Sequence, residues 1–239
     1  MPESNMSPPK TRDMLARFID ISVPLGPDMP IWPGSTAVQI HRTMRLDDGE
    51  QANVSRIDCN VHAGTHIDAP QHYLENGDTV DQVPLDVLMG PAIVAFLPKQ
   101  SVISADTLAS INLPDETKRL LLRTRNSELW ASGVTDFRKD YVALTSDAAQ
   151  WLVDHDIKLV GIDYLSIQAF HDSPLTHKIL LKSNVIILEG PNLAAVHPGT
   201  YDLICLPIRL VGAEGAPARA VLRDIPSYRE QSSANGEFS

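Results

Sequence analysis

Only two cysteines, Cys59 and Cys205, occur in 239 residues, which excludes a disulfide framework and a Cys-rich zinc module. Both lie in apolar contexts, "RIDCNV" and "DLICLP", where a buried inert thiol is the expected role. Positive charge is also scarce. Against 30 Asp and Glu there are 20 Lys and Arg, and the formal net charge of −10 argues against nucleic acid or an anionic membrane as a partner. No apolar run reaches the length of a membrane-spanning helix, and the opening "MPESNMSPPKTRDMLARF" lacks the apolar stretch of a secretory signal. A cytoplasmic setting is the resulting expectation. Aromatic residues make up only 5%, so each Trp merits individual placement.

What is present is ordinary globular material, 43% hydrophobic and 21% charged, enough for a sizeable core. No repeat, low-complexity tract or composition break suggests a linker. A single domain over 1–239 is expected, with an ordered core at about 18–226 and tails at 1–15 and 230–239. Short β-branched runs bounded by Gly or Pro predict strands: "FIDIS", "AVQIH", "AIVAFL", "RLLLRT", "YVAL", "KLVGID", "NVIILEG", "DLICLPIRLV" and "RAVLR". Helices are predicted from Ser104 in "SADTLASI" and from Thr145 or Ser146 in "TSDAAQWLVDHD". "YVALTSDAAQWLVDHDIKLVGID" then reads as a βαβ unit, and the class as α/β with some antiparallel strands.

Chemistry concentrates in "NVHAGTHIDAPQHY", residues 60–73, where His62, His66, Asp68 and His72 fall within eleven positions. Gly64, Thr65 and Pro70 disfavour a helix there, so the motif is expected on a tight turn or loop at a strand's end, with Gly64 letting the backbone fold back. A lone histidine is more often packed or solvated than a ligand, but four such residues around a glycine indicate a metal. Two imidazoles and a carboxylate suit Zn²⁺, Mn²⁺ or Fe²⁺ better than Ca²⁺ or Mg²⁺, and three ligands leave a place for water, the mark of a catalytic site. A divalent ion there would acidify that water, and His72, surplus to the shell, could carry its proton. His41, His155, His171 and His197 have no comparable context.

"HAGTHIDAPQHY" resembles the His-x-Gly-Thr-His-x-Asp-x-Pro-x-His signature of the metal-dependent cyclase family, which includes bacterial kynurenine formamidase and isatin hydrolase. The likeness extends over most of the chain, through "FIDISVPLGPDMPIWPGS", "KLVGIDYLSI", "THKILLKSNVIILEG" and "YDLICLPIRLVGAEGAPARAVLR". It implies a swivelling β/β/α-type α/β domain with mixed sheets and a few flanking helices, assembled as a homodimer or higher homo-oligomer. By that resemblance His62, His66 and Asp68 are first-metal ligands, Asp68 bridges to a second ion held by His177 and Glu189, and His72 is the catalytic acid/base. Trp32, in "IWPG", falls on an aromatic that lines the substrate pocket; a packed turn residue is the competing reading. Gln168 departs from the acidic residue that the formamidases carry after "GID…S", and the segment 168–176 differs in character, which bears on substrate choice.

The resemblance implies a metal-dependent hydrolase of carbon–nitrogen amide bonds, an arylformamidase acting on N-formylkynurenine or a related aryl formamide in tryptophan breakdown. The cofactor expected is one or two divalent ions per subunit, Zn²⁺ first and Mn²⁺ second, and the partner a small aromatic amide. A cyclic-amide ring-opening enzyme of the isatin hydrolase type is the alternative. A non-haem Fe(II) oxygenase is weaker still, because the ligand spacing differs from its usual His-x-Asp/Glu…His order and leaves His72 and Glu189 without a role. A binding protein without chemistry has no support in residues that all keep reactive side chains.

Overall fold

The computed structural model describes residues 17–225, so the tails expected at 1–15 and 230–239 lie outside the described residues. Among the described residues ten strands run in chain order: β1 (Phe18–Asp20), β2 (Gln39–Met44), β3 (Val54–Asp58), β4 (His66–Asp68), β5 (Met89–Leu97), β6 (Arg119–Thr124), β7 (Leu159–Ile162), β8 (Ile186–Glu189), β9 (Gly199–Pro207) and β10 (Gly215–Asp224). Between them lie α1 (Leu85–Leu88), α2 (Ala105–Ala109), α3 (Ser127–Ala131), α4 (Ser146–Asp154) and α5 (Leu175–Lys182). Strands pair in the order β10-β4-β8-β7-β6-β5-β9, and β9 pairs back onto β10, so the sheet closes into a barrel. β5 to β8 are mutually parallel and the remaining pairs antiparallel. β10 is long enough to serve three neighbours, with its start on β4 and its remainder between β9 and β1.

Strand alternation sorts the apolar residues of the barrel strands into two cores, and a smaller third cluster holds Tyr141, Ala143, Tyr164 and Leu165. Leu121, Leu159, Ile186, Leu188, Leu203 and Cys205 belong to the cluster filling the barrel. Leu120, Leu122, Val160, Ile162 and Ile187 face the other way, where α2, α4 and α5 contribute Leu108, Leu152, Leu180 and Leu181. This is why "RLLLRT" is apolar without alternation: β6 is buried on both faces. Cys205 is the inert thiol that its context predicts, pushed up to about 12 by burial. Cys59 is half-exposed rather than buried.

Both predicted helices form. α2 starts after Ser104, whose side chain accepts from the Thr107 N–H, and α4 starts after Thr145. The expected βαβ unit does not. Tyr141–Leu144 makes only single bridges, from Leu144 to Ile103 and to Gln168, so "YVAL" is an extended segment outside the barrel. The strand that precedes β7 in the chain and pairs parallel with it is instead β6, and the crossover carries both α3 and α4. α5 was not expected as a helix. Its apolar Ile179, Leu180 and Leu181 read equally as a strand, and Pro174 rather than a polar cap precedes it.

Asp163 fastens the ends of β6 and β7. Fully buried, its carboxylate accepts hydrogen bonds from the Thr124 N–H (2.7 Å) and hydroxyl (2.8 Å) and from the Ser127 N–H (3.0 Å) and hydroxyl (2.6 Å). Its own carbonyl accepts from Trp130 Nε1 at 2.9 Å. Removing this acceptor strands several buried donors at once. Asp163→Ala should therefore lower the unfolding free energy by about 3 kcal/mol or more in a urea titration; a loss under about 1 kcal/mol would show that the joint is dispensable.

Candidate metal centre

The site begins with a register. β4 pairs with β8 so that His66 stands opposite Glu189, and Asp68 lies two residues on, on the same face of β4. Glu189 follows the alternation of Ile187, away from the barrel interior and toward α5. From that helix His177 enters the same space, its backbone held by the buried Thr176, Leu180 and Leu181. His62 lies in the turn before β4, and His72 ends the 3₁₀ turn Pro70–His72 just after it. The motif is thus not all loop: His66 and Asp68 form a short central strand, because β8 and β10 flank it on both sides and supply its hydrogen-bond partners.

Two glycines make the close approach possible. Gly64 has φ +66° and Gly190, immediately after Glu189, has φ +74°, both in the left-handed region. A Cβ on Gly190 would stand 2.4 Å from the Gly64 carbonyl oxygen. That carbonyl accepts from His66 Nδ1 at 2.9 Å, which turns His66 Nε2 inward. Thr65 ties the same turn together, donating to the Gly190 carbonyl (2.9 Å) while accepting from the Val23 N–H (2.9 Å).

Imidazoles and carboxylates then interleave. His66 Nε2 is 3.4 Å from Asp68 Oδ1 and 3.4 Å from Glu189 Oε2. His177 Nε2 is 3.2 Å from Glu189 Oε1 and 3.7 Å from Asp68 Oδ2. His62 Nδ1 is 2.8 Å from Asp68 Oδ1. Asp68 is wholly buried, and the relative exposure of His66, His177 and Glu189 is 1%, 3% and 4%. Burial opposes ionisation of Asp68, yet the His62 charge and hydrogen bond hold its carboxyl well below the usual range. Burial alone would lower the His66 pKa, but Asp68 and Glu189 hold it up to about 10. This hollow favours positive charge strongly.

Two sets, His62/Asp68/His72 and His66/Asp68/Glu189, bring ligand-capable atoms within 4.8 Å of one another, with Asp68 common to both. His66 Nε2 and Asp68 Oδ2 are buried without a hydrogen-bond partner. Buried polar atoms are rarely left so, and each costs roughly 1–3 kcal/mol when unpaired. A divalent cation would satisfy both. Nitrogen and carboxylate donors without thiolate fit Zn²⁺, Mn²⁺ or Fe²⁺. The donor set therefore fits a metal: His62, Asp68 and His72 on one side and His66, Asp68 and Glu189 on the other could hold it, with His177 Nε2 beside Glu189 and Asp68 as a further donor.

His72 packs against three rings, His62 (4.0 Å between centroids), Tyr73 (4.5 Å) and His177 (5.9 Å). Burial lowers its pKa from the ordinary imidazole value despite the nearby Asp68 carboxylate, so it rests as a neutral base. It opens onto a cavity of about 240 Å³ lined by Trp32, Tyr73, Leu165 and Ser166 among others. Trp32 is both a wall and a packed aromatic: its ring lies 5.2 Å from those of Phe137 and Phe170. The structure thus brings all six His, Asp and Glu residues singled out in the sequence to one place, with Trp32 lining the adjoining cavity.

Three contributors were not singled out. Tyr73 stacks on His177 (4.6 Å, 27°), and burial raises its phenol to about 12. Adjacency to His72 was its only sequence signal. Phe137 and Phe170 back Trp32 from distant loops and carry no local pattern at all.

The glycine pair offers a direct check. Gly190→Ala should destabilise the fold by about 2 kcal/mol or more and loosen His66 through the Gly64 carbonyl. Gly34→Ala, at φ +91° with nothing within 4 Å, should cost about 1 kcal/mol from backbone strain alone. Thermal unfolding of the two variants compares them; equal losses would remove the role given to the Gly64–Gly190 contact.

The family model described as "Cyclase: Putative cyclase" matches residues 19–169. Cyclase-like protein 1 of Arabidopsis thaliana is 40% identical over 217 residues, covering 86% of this chain and 84% of that one. Kynurenine formamidase of Erythrobacter litoralis is 34% identical over 212 residues, covering 88% and 95%. The solved structure of a "predicted metal-dependent hydrolase" from Bacillus stearothermophilus superposes with a TM-score of 0.76 at 33% identity, covering 88% of this chain and all of that one. The chain belongs to the cyclase family of these proteins.

Proposed function

We propose that the protein is a metal-dependent hydrolase of carbon–nitrogen amide bonds and that its substrate is an aryl formamide of the N-formylkynurenine kind. The observation that carries this reading is the buried His66–Asp68–Glu189–His177 cluster, with unpaired atoms beside a neutral, half-buried His72. The formamidase relative and the metal-dependent hydrolase structure support it. Zn²⁺ is the favoured occupant and Mn²⁺ the alternative, with one or two ions per subunit.

When bound by these residues, a divalent ion would supply an acidified water and would stabilise charge developing on the amide oxygen. The side chains of this chain do the rest. Trp32, backed by Phe137 and Phe170, presents an aromatic wall to the aryl ring, and Leu165 and Tyr73 narrow the cavity around it. His72 takes a proton from water as the water oxygen bonds to the formyl carbon. It returns that proton to the aryl nitrogen as the C–N bond breaks, releasing formate and a free arylamine. The lowered pKa of His72 suits it to begin as base, and an arylamine leaves more readily than an alkylamine. The same steps on a cyclic amide open the ring with the nitrogen still tethered.

His72→Ala should keep its full complement of bound metal and lose about 10²- to 10⁴-fold in kcat/KM. Metal analysis beside a panel of N-formylkynurenine, simple aryl formamides and isatin checks this. Normal turnover by the variant removes the proton shuttle, and turnover of isatin alone replaces the formamide with a cyclic amide.

The reading includes a second copy of this chain. Among the described residues β2 and β3 pair only with each other and are exposed along their whole length, with Ile40 opposite Ile57 and both more than half accessible. A lone two-stranded ribbon is marginal in water, and an apolar pair on its face favours burial against another protomer. Ile40→Lys combined with Ile57→Lys should convert a dimer to a monomer in sedimentation or light scattering; an unchanged mass would place the interface elsewhere.

A further inference from the structure

We propose that Gln168 is the positioning residue for His177, and that its neutral amide makes the His177–Asp68–Glu189 side the weaker of two cation seats sharing Asp68. The inference rests on the metal-dependent reading above and concerns how this chain grades its own ligands.

Gln168 is buried, 9% exposed, and borders the cavity. Its amide orientation is set from both ends. Nε2 lies 3.4 Å from the Asp172 carbonyl, which can only accept, so the other end of the amide is the oxygen. That oxygen, Oε1, lies 3.2 Å from His177 Nδ1 and can only accept in turn. Nδ1 therefore carries the hydrogen, and His177 Nε2 is the nitrogen turned toward Glu189 Oε1 and Asp68 Oδ2. The Gln168 backbone is pinned as well: its carbonyl accepts from the Tyr141 hydroxyl at 2.6 Å, and its N–H donates to Ser166 Oγ at 3.3 Å. One residue earlier, the Ile167 N–H donates to Glu189 Oε1 at 2.7 Å. A single stretch of chain thus aims both His177 and Glu189, while Tyr73 covers the imidazole face.

The strength of such a hold depends on charge. An acceptor on the outer nitrogen of a ligating imidazole raises the donor power of the inner one, and a carboxylate does so more than an amide. The outer nitrogens here differ in this respect. His62 Nε2 makes no hydrogen bond but has the Glu214 carboxylate 3.6 Å away, whereas His177 Nδ1 meets the neutral Gln168 amide. The His62 side is backed by an anion and the His177 side is not.

Titrating metal-free protein with Zn²⁺ alone, by calorimetry and by equilibrium dialysis, tests this without reference to turnover. Wild type should take up two ions in two affinity classes. Gln168→Glu should tighten the weaker class by about tenfold and leave the stronger unchanged, and Gln168→Leu should weaken the same class by at least about tenfold. Circular dichroism establishes that both variants fold, and rescue by Glu but not Leu separates positioning from mere packing. Wild-type affinities in Gln168→Leu, or equal weakening by both substitutions, would overturn the role of Gln168. Two ions of one affinity, or a single ion, would overturn the grading. Failure of wild type to bind any Zn²⁺ would instead sink the hydrolase reading on which the inference stands.

Discussion

Two ionised carboxylates, Asp68 and Glu189, are held together out of water by the antiparallel pairing of a three-residue strand with its neighbour, and the rest of the site follows from that constraint. Burying one carboxylate is costly, and burying two side by side more so, unless positive charge is interposed. His62, His66 and His177 surround them on separate elements, so ring nitrogens reach the two carboxylates from a turn, a strand and a helix at once. The barrel makes this arrangement rigid. β4 is too short to stand alone, but β10 and β8 grip it on either side, and Ile67 anchors it in the barrel core between the two outward-facing ligands.

The site also shows how one fold serves packing and chemistry with opposite faces of the same strands. On β8, Ile186 and Leu188 join the barrel core while Glu189 faces α5. Gly64 and Gly190 then bring two backbone turns closer than any side chain would allow, and the Gly64 carbonyl thereby becomes the hydrogen-bond partner that orients His66. Donors placed on strands, as His66, Asp68 and Glu189 are, and held by backbone contacts are pre-organised for a cation.

Much of the candidate site was legible because its residue types are chemically conspicuous. His62, His66, Asp68 and His72 are crowded around a glycine, and no core or solvated surface needs such a set. Glu189 and His177 carry no such local signal; only the family resemblance marked them, since a carboxylate ending an apolar strand looks ordinary until the partner strand is known. What sequence could not show was decided by tertiary pairing. Tyr141–Leu144 has strand composition but no neighbour to ladder with, so it stays a bridge. α5 contains a run of apolar residues that becomes helical because β7 and β8 already occupy the adjacent sheet positions and leave the chain to cross outside them. Phe137 and Phe170 meet Trp32 only through folding, and neither position differs locally from an ordinary loop aromatic.

The central claim is that ligands from both halves of the chain share one cation centre around Asp68. Anomalous diffraction from crystals grown with Zn²⁺, measured on either side of its absorption edge, addresses it most directly. The account predicts a peak within about 2.0–2.2 Å of an Asp68 carboxylate oxygen and of at least one atom from His177 or Glu189. A peak bound only by surface side chains, or none at saturating Zn²⁺, would contradict it.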